Sequence, residues 1–310
     1  METPKYALIF PLAVVGALCG APPALAIPIL GSELAGFTVL GSATVTNVPT
    51  SVIEGNVGVW SSGGANAITG FLSSPGVAVS DPQVTGGLVH AGTSTGSPNA
   101  QLAQAQLITA MANLGSLGSG TLLAADLVGL TILPGVYTVP AGTTNLSGTV
   151  TLDGQGNANA VWVFQMTSTL ITSPNSVVNV LNTGSGAGVY WNVGSSATID
   201  TDTTFMGNIL ALASISMNTG ATDLCGRALA QTGAVTLIQN SLSGICAGDL
   251  IGSNGLSGGL EVITTPGGDS VVSLLPFVPV NPTGAIPEPA TLALLGLGLA
   301  GIGLSRRRRA

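Results

Sequence analysis

Hydroxyl-bearing side chains recur in this chain within a short pattern, in which an apolar residue lies between two small residues. Alternate side chains of a β-strand face opposite sides, so the apolar residue would enter a core while its neighbours point outward. Stacked copies would form a flat, uncharged face of hydroxyl and methyl groups, suited to hydrogen bonding and apolar contact with a bound surface. The outward residues are Thr44, Thr46, Thr149, Thr151, Ser196, Thr198, Ser214, Ser216, Ala234 and Thr236.

Acid–base and metal chemistry have few candidate residues. His90 is the one histidine, so neither a histidine-rich metal cluster nor a Ser/His/Asp arrangement is indicated. Asp200 and Asp202 resemble paired carboxylates, but the surrounding threonines and the two acids are typical of a turn. Calcium at these acids is an alternative, although the Gly/Asp nonapeptide repeat of calcium-binding β-rolls is absent. We expect no enzyme, no metal and no cofactor.

Short strands at coil-like spacing would position the hydroxylated face. Asn192, Asn208 and Arg227 each open a run of small and aliphatic residues before a copy of the pattern, and the two steps between them are unequal. Three short strands and three corners need about this much chain, so the spacing predicts an uneven, discontinuous β-solenoid. The local strand pattern alone also fits an antiparallel sandwich.

The composition is that of a compact β protein. Charged residues make up 6% of the chain, the mean hydropathy is +0.59, and glycine is about twice as frequent as usual. Within residues 27–286, Arg227 is the one basic residue against eleven acidic residues, which gives a net charge of −10. Such a body can neutralise few phosphates, so we expect no nucleic-acid partner and no attraction to anionic membrane surfaces.

The N-terminal segment, 1–26, has the layout of a secretory signal peptide. Lys5 precedes an apolar run from Tyr6 to Cys19, and Ala24-Leu25-Ala26 fits cleavage after Ala26. Lipidation at Cys19 is disfavoured because Leu18 stands where a small residue is required. We therefore expect an exported protein.

The C-terminal segment, 287–310, combines a short motif, an apolar stretch and a basic run. The parts are Pro287, Glu288 and Pro289, then residues 290–304, then Arg306, Arg307, Arg308 and Arg309. The apolar stretch is short for a spanning helix, which needs about 20 residues. The arrangement resembles the PEP-CTERM sorting signal of Gram-negative bacteria, which implies exosortase processing, transient membrane insertion through 290–304, and release or attachment at the cell envelope. A simple anchor that stays on is the alternative.

Cys225 and Cys246 are the cysteines of the expected mature chain. Export permits disulfides, and the stretch between the two cysteines is about one coil long, so a bond between neighbouring coils is favoured, worth about 2–4 kcal/mol. Two buried free thiols are the alternative.

One segment has helical character. Ser97 and Pro98 would begin a helix over residues 98–114, and Gly115 would end it. Its expected inner face consists of Leu102, Gln106 or Leu107, Ala110 and Leu114. Such a helix would cover one apolar flank of the coils. We expect a signal peptide over 1–26, a domain over 27–251, a Gly/Ser/Pro-rich linker over 252–286 and the sorting signal over 287–310.

A family resemblance covers residues 30–243, where ordered runs look like the DUF3494 ice-binding-protein family. The runs are Leu40 to Asn47, Ile53 to Gly58, Ile68 to Phe71, Leu133 to Tyr137, Val161 to Gln165, Ser195 to Thr198, Gly207 to Ala211 and Gly233 to Leu237. The resemblance implies a mainly β protein: a discontinuous right-handed β-solenoid, triangular in section, with one long α-helix packed alongside.

The resemblance also implies adsorption to ice crystals and inhibition of ice growth or recrystallisation, through a flat solenoid face. The hydroxylated face suits this role, because stacked coils repeat about every 4.7–4.9 Å and alternate residues along a strand about every 6.6 Å, which sets Thr side chains on a grid. Ordinary strand-forming residues on a solvated face are the alternative.

A structural role is the competing hypothesis, namely a cell-surface or biofilm-matrix protein that binds exopolysaccharide. Sugar-binding faces usually stack sugars on Trp or Tyr rings. The positions of Trp162, Tyr190 and Trp191 therefore discriminate: an exposed row favours carbohydrate, and core positions favour the hydroxylated face.

Overall fold

The computed structural model describes residues 26–264 and 270–280. The expected signal peptide up to residue 25 and the whole sorting signal, with its motif, apolar stretch and arginines, lie outside the described residues. Within the described ranges, no helix has the length and apolar character needed to cross a membrane.

Most of the described chain passes in turn through three parallel β-ladders. The helix-side ladder contains Phe37–Gly41, Asn56–Val59, Val89–His90, Thr121–Leu122, Gly135–Val139, Val161–Met166, Gly188–Val193 and the second halves of Thr204–Ala211 and Thr222–Ala230, with Ala78–Val79 antiparallel at its edge. The six-stranded sheet contains Val45–Val48, Ile68–Thr69, Leu170–Ile171, Ala197–Ile199, Ile215–Met217 and Val235–Ile238. The third ladder contains Val52–Glu54, Val84–Thr85, Thr131–Ile132, Thr149–Asn157, Val177–Thr183, the first halves of Thr204–Ala211 and Thr222–Ala230, and Ser241–Ser243.

The chain forms coils because each circuit returns to the ladder where it began. Trp162 pairs in parallel with Val189, one circuit later, and Ala197 pairs with Ile215. Parallel pairing of this kind excludes the antiparallel sandwich. The coils are uneven, as predicted: Asn208 pairs with Arg227, as the sequence spacing indicated, but its partner in the preceding coil is Tyr190 and not Asn192.

The stacking order is discontinuous. Strand Phe37–Gly41 lies on Thr222–Ala230, through the pair Val39 and Ala228, so the first coils of the chain stack beyond the last ones. Helix α2, Ala100–Ser116, carries the chain back along the helix-side ladder. Its 17 residues span about 26 Å, or roughly five coil spacings.

Helix α2 differs from the prediction at its ends and on its inner face: it begins at Ala100, and Gly115 does not end it because the helix continues to Ser116. Asn99 is the N-cap, not Ser97, because its side-chain oxygen accepts a hydrogen bond of 3.1 Å from the Leu102 amide. Leu102 is exposed, so its assignment to the inner face is wrong. The buried residues are Ala100, Ala103, Gln104, Leu107, Ala110 and Leu114. Gln106 instead accepts hydrogen bonds from the amides of Glu33 and Leu34 in the short helix α1, Gly31–Leu34.

We expect Leu107→Ala to lower the free energy of unfolding by about 2–5 kcal/mol, because it leaves a cavity between α2 and the helix-side ladder. Leu107 is fully buried, whereas its neighbour Ile108 is 53% exposed. Ile108→Ala is therefore the matched control, with a change within about 0.5 kcal/mol. Denaturant unfolding measures both, and equal losses would contradict the packing of α2 described here.

The segment predicted as a linker is folded over residues 252–264 and 270–280, so the domain extends beyond residue 251. Leu260–Thr264 pairs antiparallel with both Ala26–Pro28 and Ser270–Leu274 to form a three-stranded sheet. Leu256 and Leu260 are buried. Apolar residues among the glycines and serines supply this packing, which overall composition did not reveal.

Two apolar clusters form the core. One fills the inside of the coils, and the other lies between α2, α1 and the outer side of the helix-side ladder.

A disulfide joins Cys225 to Cys246 with a Cα–Cα distance of 4.6 Å, which is the pairing favoured from the sequence. Short 3-10 helices at Gly64–Ala67 and Gly248–Leu250 complete the elements.

Candidate functional site

The six-stranded sheet carries four of the five hydroxylated copies in one register. Parallel pairs run from Ala197 to Ile215, Val235, Val45 and Ile68, and all of these side chains are buried. None of the pairs in this sheet has a register shift. The alternation inferred from the sequence is therefore correct for these copies.

The next residue of each strand points outward, and these residues form the central column of the sheet. The central column runs Ile171, Thr198, Ser216, Thr236, Thr46 and Thr69. Its members are half-buried, except for Thr69, which is exposed. Sequence reasoning missed Thr69 as a site residue, because Ile68-Thr69 follows a 3-10 helix and not a Ser/Thr-bearing position; its place before a glycine in a family-like run was the available signal.

A second outward column, the flanking column, contains Ser196, Ser214, Ala234 and Thr44. Backbone amides of the strands donate to these residues' carbonyls from coil to coil, for example from Ala197 to Ser214 at 2.9 Å. The hydroxyl of Ser196 also accepts from the Ser214 amide at 3.3 Å, and that of Ser214 from the Ala234 amide at 3.1 Å. These two hydroxyls thus help to hold the coils in register, and the central column is freer to contact an external surface.

Thr149 and Thr151 do not lie on this face. Their strand belongs to the third ladder, where Thr149 pairs with Val177 and Thr151 pairs with Thr131 and Asn179. Val150 is buried between them, so the inward–outward alternation was right. The prediction that all five copies stack on one face is wrong, because local alternation does not specify which side of a coil a strand occupies.

The central and flanking columns contain no charged residue. The nearest acid along a strand is Asp200, directly after Ala197–Ile199, and its carboxylate accepts 2.8 Å hydrogen bonds from the Asn218 side chain and the Thr201 amide. These bonds lower the pKa of Asp200. Asp202 lies in the same corner with a φ of 56°, so the two acids form the turn that was expected. On the same edge of the sheet, Val48 and Ile238 pair and extend an apolar border.

His90 occupies a structural position. Its ring is fully buried, lies edge-on against Phe37 with centroids 5.2 Å apart, and has Nε2 3.1 Å from the side-chain oxygen of Asn56. Burial lowers the pKa of His90 and keeps the ring neutral near pH 7. Across residues 26–264 and 270–280, no group of three or more His, Cys, Asp and Glu side chains could hold a metal ion.

The aromatic side chains that could have marked a sugar site lie in the core. Trp162, Tyr190 and Trp191 are at most 1% exposed. Trp191 stacks on Phe164 with ring centroids 4.1 Å apart, and the Trp162 indole donates to the Ile132 carbonyl at 3.0 Å. They form no outward row on which a sugar could stack.

Asp223 and Arg227 are buried on strand Thr222–Ala230, away from the six-stranded sheet. Burial raises the pKa of Asp223 to about 8, against the opposing effects of the Cys225 and Gly207 amides and of the Arg227 charge. Burial lowers the pKa of Arg227 to about 10, so its guanidinium stays charged at neutral pH. Arg227 donates to the carbonyls of Ala35, Asn254 and Gly255 and to the side chains of Asn208 and Asn254.

We expect the protein to lose stability as the pH rises from about 4 to about 8. Over this window the unfolded Asp223 is already ionised while the folded Asp223 keeps its proton, so the folded state binds more protons and is favoured at the acid end. Asp223→Asn should flatten this part of the profile of melting temperature against pH. Parallel profiles for the two proteins would show that Asp223 does not titrate in this way.

Comparison with known proteins agrees with this architecture. The profile of a family described as ice-binding-like matches residues 39–243, and a PEP-CTERM protein-sorting motif matches residues 285–309. An ice-binding protein of Nostoc sp. (strain HG1) is 37% identical over 306 residues, which cover 98% of this chain and 96% of that protein.

Two solved structures share the fold. The ice-binding protein of the Antarctic ascomycete Antarctomyces psychrotrophicus has a TM-score of 0.58 at 32% identity, covering 71% of this chain and 98% of that one. An ice-binding protein from an Arctic yeast, described for its antifreeze activity, has a TM-score of 0.60 at 26% identity, covering 68% and 92%. The mainly β, solenoid-like fold and the predicted family are thereby confirmed. Since the family profile spans most of the coils and the Nostoc relative spans nearly the whole chain, this protein belongs to the ice-binding-like family.

Proposed function

We propose that this protein adsorbs to ice through the central column of the six-stranded sheet and so inhibits ice growth or recrystallisation, without enzymatic chemistry. The proposal rests on one observation. This protein, a member of the ice-binding-like family, has a column of hydroxylated side chains that point outward, lie in register and include no charged residue. Its hydroxylated residues are Thr46, Thr69, Thr198, Ser216 and Thr236.

The physics of adsorption favours this column. Parallel strands about 4.7–4.9 Å apart set successive hydroxyls at a fixed spacing, and a grid of fixed hydroxyls can hold water in an ice-like order. Thr has a stiff χ1 and a methyl group beside its hydroxyl, so the column stays still and binds water without attracting it as strongly as a charge would. The flanking column adds small side chains that leave the surface flat, and we propose Thr44, Ser196, Ser214 and Ala234 as secondary contacts.

The other two sides of the coils suit ice less well. Helix α2 packs on the helix-side ladder. The third ladder has register shifts at Asp153/Asn157 and Phe205/Gly207, and its outward residues include the largely exposed Val52 and Leu224. Thr149 and Thr151 lie on that ladder, so we do not include them in the proposed face.

We propose two finer features of the fold. A right-handed coil is favoured because parallel strands joined by crossovers are right-handed in nearly all proteins. A triangular section is favoured because each circuit visits three ladders.

We propose that the protein is exported and reaches the cell envelope or the extracellular space of a Gram-negative bacterium. The sorting-motif match supports exosortase as a processing partner, with residues 290–304 inserted in the membrane until the tail is removed. Exopolysaccharide is the weaker partner, because Trp162, Tyr190 and Trp191 are core residues.

The test of function uses purified residues 27–286 at neutral pH. We expect thermal hysteresis and recrystallisation inhibition that disappear when the protein is heat-unfolded. A folded protein, verified by circular dichroism, with neither activity would contradict the proposal.

A further inference from the structure

The folded C-terminal segment, residues 252–264 and 270–280, is called the strap here. It contacts one corner of the coils at residues 254–258 and 276–280, and its two strands pack beside α2. The rear corner is the bend between the third ladder and the helix-side ladder, at residues 156–160 and 184–188 and at Gly207 and Gly226. Gly207 has a φ of 108°, and a Cβ there would lie 2.6 Å from Val189 Cγ1, so glycine is required where these coils bend.

The first part of the strap is hydrogen-bonded to the two neighbouring coils that contain Arg227 and Asn208. Arg227 donates to the Asn254 carbonyl at 3.0 Å and to its side-chain oxygen at 2.7 Å. Asn208, in the coil that precedes that of Arg227 in the chain, donates to the carbonyls of Gly255 and Leu256 at 2.9 and 2.8 Å. Both donors are fully buried, so these bonds are shielded from water.

The strap then contacts the coils that come earlier in the chain, one after another. The Val189 amide donates to the Leu256 carbonyl, and the Gly258 amide donates to the Ala187 carbonyl at 3.0 Å. Its last residues pair with the bend of the next coil: the Ala158 amide donates to Val278 at 2.6 Å, and the Val280 amide donates to Gly156 at 2.8 Å. The described chain therefore leaves the domain at the rear corner.

The rear corner is the one corner of each circuit that does not border the six-stranded sheet. A circuit passes from the third ladder through the rear corner to the helix-side ladder, then to the six-stranded sheet, and then back to the third ladder. The point of exit at Val280 and the central column are consequently on opposite sides of the coils.

We propose that the strap fixes the C-terminal exit opposite the six-stranded sheet, so that a molecule held at the cell envelope by its C-terminus presents the central column outward. This inference rests on the proposed function. Nine residues lie between Val280 and Ala290, and these ten Cα–Cα steps reach at most about 35 Å, so the rear of the domain stays close to the membrane whenever residues 290–304 are inserted. The protein can then bind ice while it is still held at the cell envelope.

The test compares two ways of holding the same domain on a bead. Residues 27–286 are coupled either through a cysteine added after residue 286 or through Thr219→Cys, an exposed turn position bordering the six-stranded sheet. Both proteins are first assayed free in solution. We expect beads coupled through the C-terminus to be captured by a growing ice front at least tenfold more often than beads coupled through residue 219.

The outcomes separate this inference from the function on which it rests. Equal capture, or loss of capture by the C-terminal coupling while the free protein is active, overturns the orientation. Inactivity of the free folded protein overturns the proposed function and this inference with it. Hydrogen exchange gives a readout independent of ice: we expect protected amides at Ala158 and Val280, and exchange as fast as in an unfolded peptide would show that no strap fixes the exit.

Discussion

Replacing Thr236 by Tyr should remove most of the thermal hysteresis of the folded protein. Thr236 lies in the middle of the central column, between Ser216 and Thr46, and its side chain points outward. A Tyr ring would stand above the column and hold an ice surface away from its neighbours. A loss of about 1.4 kcal/mol in adsorption free energy already weakens binding tenfold, and we expect at least that.

The matched control is Thr222→Tyr, the same replacement at a half-buried, outward position of the third ladder, where Thr222 pairs with Thr204 and Ser241. Its activity should stay within about twofold of the wild type. Both variants should keep the wild-type circular dichroism spectrum and melting temperature. Equal losses in the two variants, or loss in Thr222→Tyr alone, would move the ice-binding surface off the six-stranded sheet.

Arg227→Met should strongly destabilise this domain. Arg227 is 1% exposed and donates to acceptors from three parts of the chain: Ala35 beside α1, Asn208 in the coils, and Asn254 in the strap. Met fills similar volume but leaves several buried acceptors without a donor. Hydrogen bonds to a charged group are worth about 1.5–3 kcal/mol each, so we expect a loss of more than about 3 kcal/mol. Calorimetry should show a melting temperature lower by roughly 6–12 °C.

Arg227→Lys separates charge from geometry. A single ammonium keeps the positive charge but cannot span both Ala35 and Asn254 as the guanidinium does, so the variant should be intermediate. The strap should also become more sensitive to protease in both variants. A melting temperature for Arg227→Met indistinguishable from that of the wild type would contradict the role assigned to this residue.

The sequence predicted the copies of the hydroxylated face better than it predicted their assembly. Alternation within a strand is local, so Val45, Val150, Ala197, Ile215 and Val235 are all buried as expected. Which ladder a strand joins depends on the corners that precede it, and this is why the copy at 149–151 was assigned to the wrong face. The family resemblance and the uneven steps predicted a discontinuous solenoid but not which coils adjoin; the pair of Val39 with Ala228 shows that the first coils stack on the last ones.

Composition misled at the C-terminal segment and at the helix. Residues 252–280 are rich in Gly, Ser and Pro, but buried Leu256 and the buried guanidinium of Arg227 hold the first part of the strap against the coils, and Leu260 packs in the cluster beside α2. For α2, Ser97 and Asn99 are both capable N-caps; the Asn99 side chain is the one that reaches the first turn. The first error concerns long-range contacts, which no local pattern encodes, and the second is a choice between two neighbouring residues that can both cap a helix.

A competition in one tube tests whether ice contacts the six-stranded sheet and no other side of the coils. Ser216→Tyr and Thr222→Tyr are mixed in equal amounts, an ice hemisphere is grown slowly through the solution, and mass spectrometry measures both proteins in ice and liquid. We expect Thr222→Tyr to be concentrated in the ice and Ser216→Tyr to remain in the liquid. Equal partitioning, or enrichment of Ser216→Tyr in the ice, would contradict it.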